Sequence, residues 1–191
     1  MQQEFWYERW QLNQIGFHSQ QVNGHLQHNW AALGIAPGSR VFVPLCGKSK
    51  DMLWLFAQGV DVIGVELSPL AVQAFFAENG LSATTRQQGK FSVSETDGIC
   101  IYCGDFFDLS ANELSGVNAV YDRASLVALP PEMRASYAAH IKRLLDPGTV
   151  IFITVSKALP SALLNTDVAP KRFATARRLS SRSITMISAG E

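Results

Sequence analysis

The sequence is poor in several things, and each shortage removes a class of function. Three cysteines in 191 residues are too few, and odd in number, for a disulfide framework. Sixteen basic side chains balance 16 acidic ones, so no net charge draws the chain to nucleic acid or to an anionic membrane. No apolar run approaches the ~20 residues of a membrane span. The amphipathic start, residues 1–11, lacks the apolar centre of a signal peptide. The expectation is a cytoplasmic monomer with no nucleic-acid or membrane partner. Metal-ligand patterns are equally scarce. Cys100 and Cys103 form a C-x-x-C, but inside an apparent strand, where residues three apart point to opposite faces. No second pair and no histidine cluster accompanies them, so they are expected to be buried structural thiols, and no metal site is expected.

What is present is a chain 47% apolar and 17% charged, enough for one α/β domain with a substantial core. Its organising stretch runs from Val41 to Glu66. Val41–Leu45 reads as a buried strand, and Gly47-Lys48-Ser49 supplies a tight turn with Ser49 as a helix cap and Asp51 in the first turn. Met52, Leu53, Leu55 and Phe56 then recur at helical spacing up to Gly59, and a second apolar strand, Val62–Val65, ends in Glu66. This is one βαβ unit with a carboxylate about 20 residues past the turn, placed to accept hydrogen bonds from ribose hydroxyls. A dinucleotide turn would need glycines where Leu45 and Lys50 stand. A phosphate-binding loop would need glycine at Phe42, so Gly47-Lys48-Ser49 is read as a decoy. S-adenosylmethionine (AdoMet), a nucleoside without phosphate, requires neither pattern.

Before this unit, residues 3–33 hold two helical patterns around Gly16-Phe17-His18-Ser19. The first carries Phe5, Trp6, Tyr7 and Trp10, the second Val22, Leu26, Trp30 and Leu33. These aromatics can pack on a sheet or form a lid over a flat ligand. His18 stands alone, without the partners a metal site would need. After Glu66, Ser68-Pro69 starts a helix that Gly80 ends. Residues 91–103 read as a hairpin turning at Thr96-Asp97-Gly98. Gly104-Asp105-Phe106-Phe107 follows, and Asp105 has two readings: a partner for an adenine amine, with an aromatic over the ring, or a cap for residues 108–114. Val117–Tyr121 is a further strand. Its Asp122-Arg123 falls at the carboxyl edge of the sheet, where open α/β folds bind ligands. Arg123 can meet the AdoMet carboxylate or an anionic acceptor, or pair with Asp122. Pro130-Pro131-Glu132 opens a helix through Leu145, and Thr149–Thr154 is the fifth apolar strand.

Together these segments resemble bacterial thiopurine S-methyltransferases. The resemblance rests on Trp10, the Ile15-Gly16-Phe17-His18 loop, Val43-Pro44-Leu45-Cys46-Gly47-Lys48-Ser49, and Gly64-Val65-Glu66-Leu67-Ser68. It continues through Gly104-Asp105-Phe106-Phe107, Tyr121-Asp122-Arg123-Ala124 and Leu126-Val127-Ala128-Leu129-Pro130, about residues 5–154 in all. It implies a Rossmann-like class I AdoMet-dependent methyltransferase fold, a mainly parallel sheet with helices on both faces and two last strands on an antiparallel edge. It also implies that Trp10, Leu45, Gly47, Glu66 and Arg123 line the AdoMet site, with Glu66 on the ribose and Asp105 and Phe106 near the adenine. The implied acceptor is a small aromatic or heterocyclic thiol. Another small nucleophile (halide, thiocyanate, selenium or tellurium species), or a non-catalytic AdoMet-binding remnant, are the alternatives. No catalytic base is assigned; Arg123 is the expected acceptor contact.

The expected layout is a methyltransferase domain over 1–155, its first 36 residues a helical lid, and a basic tail over 156–191. The tail carries Lys157, Lys171, Arg172, Arg177, Arg178 and Arg182 against Asp167 and Glu191. There the sequence leaves the family pattern as an out-of-frame or truncated ending would, so the last strands are expected to be missing or altered.

Overall fold

The computed structural model describes residues 3–154, together with the backbone of 184–188. The order of elements follows directly from the alternation of apolar runs and turn residues. Helices α1 (Gln3–Gln11) and α2 (Gly24–Asn29) lead into a 3-10 turn, Trp30–Leu33. The organising unit is β1 (Arg40–Val43), α3 (Asp51–Ala57) and β2 (Asp61–Glu66). Helix α4 (Pro69–Glu78) starts as expected, with Ser68 Oγ accepting from the Ala71 N–H and proline in the first turn. Then come β3 (Thr84–Gln88), β4 (Phe91–Thr96) and β5 (Ile99–Cys103), a 3-10 turn over Phe106–Asp108, and β6 (Ala119–Arg123). Short α5 (Ser125–Ala128), long α6 (Pro131–Leu144), β7 (Val150–Thr154) and β8 (Ile184–Ser188) complete the described elements.

The strands form one sheet in the order β3-β4-β5-β2-β1-β6-β7-β8. Its centre, β5-β2-β1-β6-β7, is parallel, and the β3-β4-β5 and β7-β8 edges are antiparallel. From β1 the chain first builds outward through β2 and later returns to lay β6 on the other side of β1. The gap between β1 and β6 is therefore a topological switch point, where the loops leaving two neighbouring strands diverge and open a crevice.

Alternation along each strand splits the core in two. Val41, Val43, Val62 and Ile99 face α3 and α4, packing with Met52, Leu55, Val72 and Phe75. Phe42, Ile63, Val65 and Val120 face α6, packing with Tyr137, Ile141 and Leu144. Cys100 and Cys103 belong to opposite sides of this division, as their spacing predicts, and all three cysteines are free. At Gly64, in the middle of β2, an added Cβ would lie 2.8 Å from Cys46 Sγ, so glycine there lets the β1–α3 turn close down on the strand.

Several expectations need correcting. Helix α3 begins at Asp51 after Lys50, and Ser49 supplies only its hydroxyl, accepting from the Asp51 N–H at 3.2 Å. The helical segment expected over 108–114 is instead the single 3-10 turn Phe106–Asp108. Strand β3 was not foreseen. Of the expected basic tail, only the β8 backbone lies within the described residues, and it supplies an antiparallel edge strand; the rest of the tail lies outside them.

Candidate active site

The first turn after β1 has an unusual backbone. Leu45 has φ +48° and Gly47 φ +53°, so the chain turns back sharply at the carboxyl end of the strand. Directly across the switch point, Ala124 at the end of β6 has φ +61°. Left-handed backbone at non-glycine residues costs free energy and must be held by its surroundings. Here the holding bonds are visible. Ser125 Oγ donates to the Pro44 carbonyl at 2.9 Å, linking the two turns, and the Ala124 N–H donates to Thr154 O at 2.9 Å. Asp122, wholly buried, accepts from the Ser125 N–H at 2.7 Å and from the Tyr137 hydroxyl at 2.9 Å.

Glu66 ends β2 beside this turn. One carboxylate oxygen accepts from the Gly47 N–H and the other from the Ser68 N–H, both at 2.8 Å. Burial pushes the Glu66 carboxyl above its ordinary range, and the N–H groups of Ser68, Gly47 and Leu67 pull it partly back. A carboxylate has about four acceptor sites, more than these N–H groups fill, so Glu66 braces the turn and can still accept from a ligand.

Arg123 projects from the end of β6. Its Nη1 donates to Asp51 Oδ2 at 2.9 Å, and the alternative pairing with Asp122 does not form. The reason is strand geometry: residues 122 and 123 point to opposite faces, whereas Tyr121 and Arg123 share one. The Tyr121 hydroxyl accordingly donates to the same Asp51 oxygen at 2.9 Å, and the Asn23 N–H donates to the other at 2.7 Å. Asp51, fully buried at the start of α3, is thus a hub that clamps one edge of the guanidinium and ties α2 to the sheet.

These pieces enclose one cavity at the carboxyl edge of the parallel strands. Its walls bring together five of the sequence-predicted residues, Trp10, Leu45, Gly47, Glu66 and Arg123. Trp10 lies 3.3 Å from where a Cβ on Gly47 would stand, so glycine there lets the Trp10 ring close against the turn. The roof is aromatic: Trp6, Trp10 and Phe17 meet edge to face, with ring centroids 5.5 and 5.7 Å apart. His18, Lys48 and Ser125 also line the cavity; sequence reasoning gave none of them a ligand role.

Asp105 and Phe106 are not brought to this cavity. Asp105 Oδ1 accepts from the Phe107 N–H at 2.9 Å and Oδ2 accepts from Gln3 Nε2 of α1 at 2.7 Å, so the capping reading holds, over a shorter turn. Phe106 is carried into the core beneath α6, its ring 4.8 Å from that of Tyr137 and 5.0 Å from His140. Among the described residues, no cluster of His, Cys, Asp or Glu could hold a metal ion, and no helix is long and apolar enough to cross a membrane.

The donor set fits AdoMet. A fixed carboxylate suits a ribose diol, a half-clamped guanidinium suits a carboxylate or other anion, and an apolar aromatic wall suits a methyl group. The comparisons agree. The family model described as thiopurine S-methyltransferase matches residues 1–162. A thiopurine S-methyltransferase of Nitrosospira multiformis is 54% identical over 153 residues, 80% of this chain and 70% of that protein. One from Pseudomonas entomophila is 58% identical over 139 residues, 73% of this chain and 64% of its own. Among solved structures, a 1,6-didemethyltoxoflavin-N1-methyltransferase of Burkholderia thailandensis superposes with TM-score 0.67 at 14% identity, covering 99% of this chain and 87% of its own. A TehB-like SAM-dependent methyltransferase of Corynebacterium glutamicum gives 0.63 at 15% identity, covering 99% of this chain and 98% of its own. At such identities the likeness is one of fold, the Rossmann-like class I methyltransferase sheet. The sequence matches go further: the chain belongs to the thiopurine S-methyltransferase family.

Proposed function

We propose that the chain transfers a methyl group from AdoMet to the sulfur of a small aromatic or heterocyclic thiol, of which thiopurines are the type. The observation that carries this reading is the cavity itself. In a chain of this family, Glu66 and Arg123 face one aromatic-roofed space across the switch point. When bound, AdoMet supplies an already activated sulfonium methyl. Glu66 holds the ribose hydroxyls through its free lone pairs. Leu45 and Gly47 shape the wall opposite the aromatic roof. Arg123, with one nitrogen committed to Asp51, turns its remaining N–H groups toward the anionic sulfur or the cofactor carboxylate. The aromatic roof of Trp6, Trp10 and Phe17 excludes water, which strengthens every charge interaction beneath it. Catalysis then rests on approach geometry and a dry pocket more than on a strong base. A cytoplasmic location belongs to the same reading: the three cysteines are free, as suits a reducing compartment.

Arg123→Ala tests the reading. It removes the cation that favours the anionic acceptor and should lower kcat/KM for a thiopurine by about 100-fold. Arg123→Lys keeps the charge without the fork and should fall between. Wild-type kinetics in Arg123→Ala would remove Arg123 from the chemistry.

A further inference from the structure

We propose that His18 is the base that takes the proton from acceptors arriving as neutral thiols. The assignment rests on the thiol methyltransferase reading above and adds to it the residue that prepares the nucleophile. Its Nε2 is buried and has no hydrogen-bond partner among the described residues, a distinction no other buried side-chain nitrogen or oxygen among them shares. A buried polar atom without a partner is a cost that native structures rarely carry, and at the wall of a ligand cavity the natural partner is the ligand. His18 lines that cavity together with Arg123 and Leu45.

Its position is built. The His18 N–H donates to Ile15 O at 2.7 Å, closing a tight turn, and the neighbouring Phe17 ring is seated against Trp6 and Trp10. The charge setting suits a base that starts neutral. Burial lowers its tendency to protonate; the Lys48, Lys50 and Arg123 cations lower it further, and only the Glu78 carboxylate opposes them. Lys48 is itself paired with Glu78 at 2.6 Å, so the cationic side is anchored. With its proton on Nδ1, the ring offers the Nε2 lone pair.

The step balances simply. The acceptor S–H proton passes to Nε2, and the sulfur keeps the electron pair that forms the new bond to carbon. The resulting imidazolium, disfavoured by its cationic neighbours, gives the proton to water as product leaves. Arg123 steadies the thiolate in the interval. A thiol that arrives already ionised has no use for His18.

That difference is the test. His18→Gln is compared with the intact chain on two aromatic thiols of similar size, one protonated at the assay pH and one, nitro-substituted, already ionised. The expected result is a loss of about 100-fold in kcat/KM on the protonated thiol and of less than about 3-fold on the ionised one. In the intact chain kcat/KM for the protonated thiol should fall as pH drops through the lowered His18 pKa, since the base must be neutral; in the variant that limb should vanish. A second readout needs no cofactor. The protonated thiol added to the cofactor-free chain should shift the His18 ring-nitrogen NMR signal, because its S–H donates to the unpartnered Nε2. Equal losses on both thiols, or a His18 ring signal that the protonated thiol leaves unmoved, overturn the assignment. Turnover of neither thiol by the intact chain overturns the methyltransferase reading and this inference with it.

Discussion

At the scale of residues, the site depends on a few buried polar atoms, each doing two jobs. Glu66 is the plainest case: its two oxygens hold the Gly47 and Ser68 N–H groups, and the same residue lines the cavity. Glu66→Gln exchanges one acceptor for a donor that must oppose a backbone N–H. It should weaken AdoMet binding by about 2 kcal/mol, roughly 30-fold in Kd, and lower thermal stability. Calorimetric titration and melting of the variant check both; unchanged affinity would take Glu66 off the ribose. Asp51 shows where reading the sequence stops. As a residue in the first turn of a helix it looks like a routine partner for the helix dipole. Its real partners are Arg123 and Tyr121, 72 and 70 residues along the chain, and Asn23, 28 residues back. Nothing local in the sequence announces a contact of that range. The Asp122-Arg123 pair misleads for the opposite reason: adjacency in sequence suggests pairing, and the strand sends the two side chains apart.

At the scale of elements, the β1–α3–β2 unit was legible because every local signal agrees: two buried apolar runs, a glycine turn, helical spacing, a terminal carboxylate. The hairpin of β4 and β5 was legible from its Asp97-Gly98 turn and alternating residues. Strand β3 was not, because TTRQQ is polar and almost wholly exposed; its pairing to β4, not a hydrophobic face, makes it a strand. Gly64 gives the unit a sharp test. In Gly64→Ala the new methyl would meet Cys46 Sγ at 2.8 Å and Ile101 and Met52 at 3.4 Å. Overpacking of this kind should cost about 1–3 kcal/mol. The Gly64→Ala, Cys46→Ala double variant should recover part of that loss, because the closest obstacle is gone. Denaturant unfolding of the three variants measures the coupling, and strict additivity would mean the strand relaxes away from the turn instead.

At the scale of the whole molecule, the fold follows from one topological fact. The chain leaves β1 in one direction and returns to its other side, and the cavity opens where the loops part. The family sheet and its cofactor crevice could be anticipated from motifs between residues 5 and 154. The aromatic roof was legible as composition, although which rings meet over the cavity was not. Beyond residue 154 the basic sequence shows a strand pattern only at Ser183–Ile187, and there the short β8 completes the antiparallel edge beside β7.

The most direct test of the central claim is methyl transfer from labelled AdoMet to a thiopurine by the intact chain, with AdoMet binding measured calorimetrically on the same sample. If the chain is a thiol methyltransferase, one AdoMet binds per chain and label appears on the thiopurine sulfur. A folded sample that binds no AdoMet, or that binds it and leaves every thiol unlabelled, would contradict it.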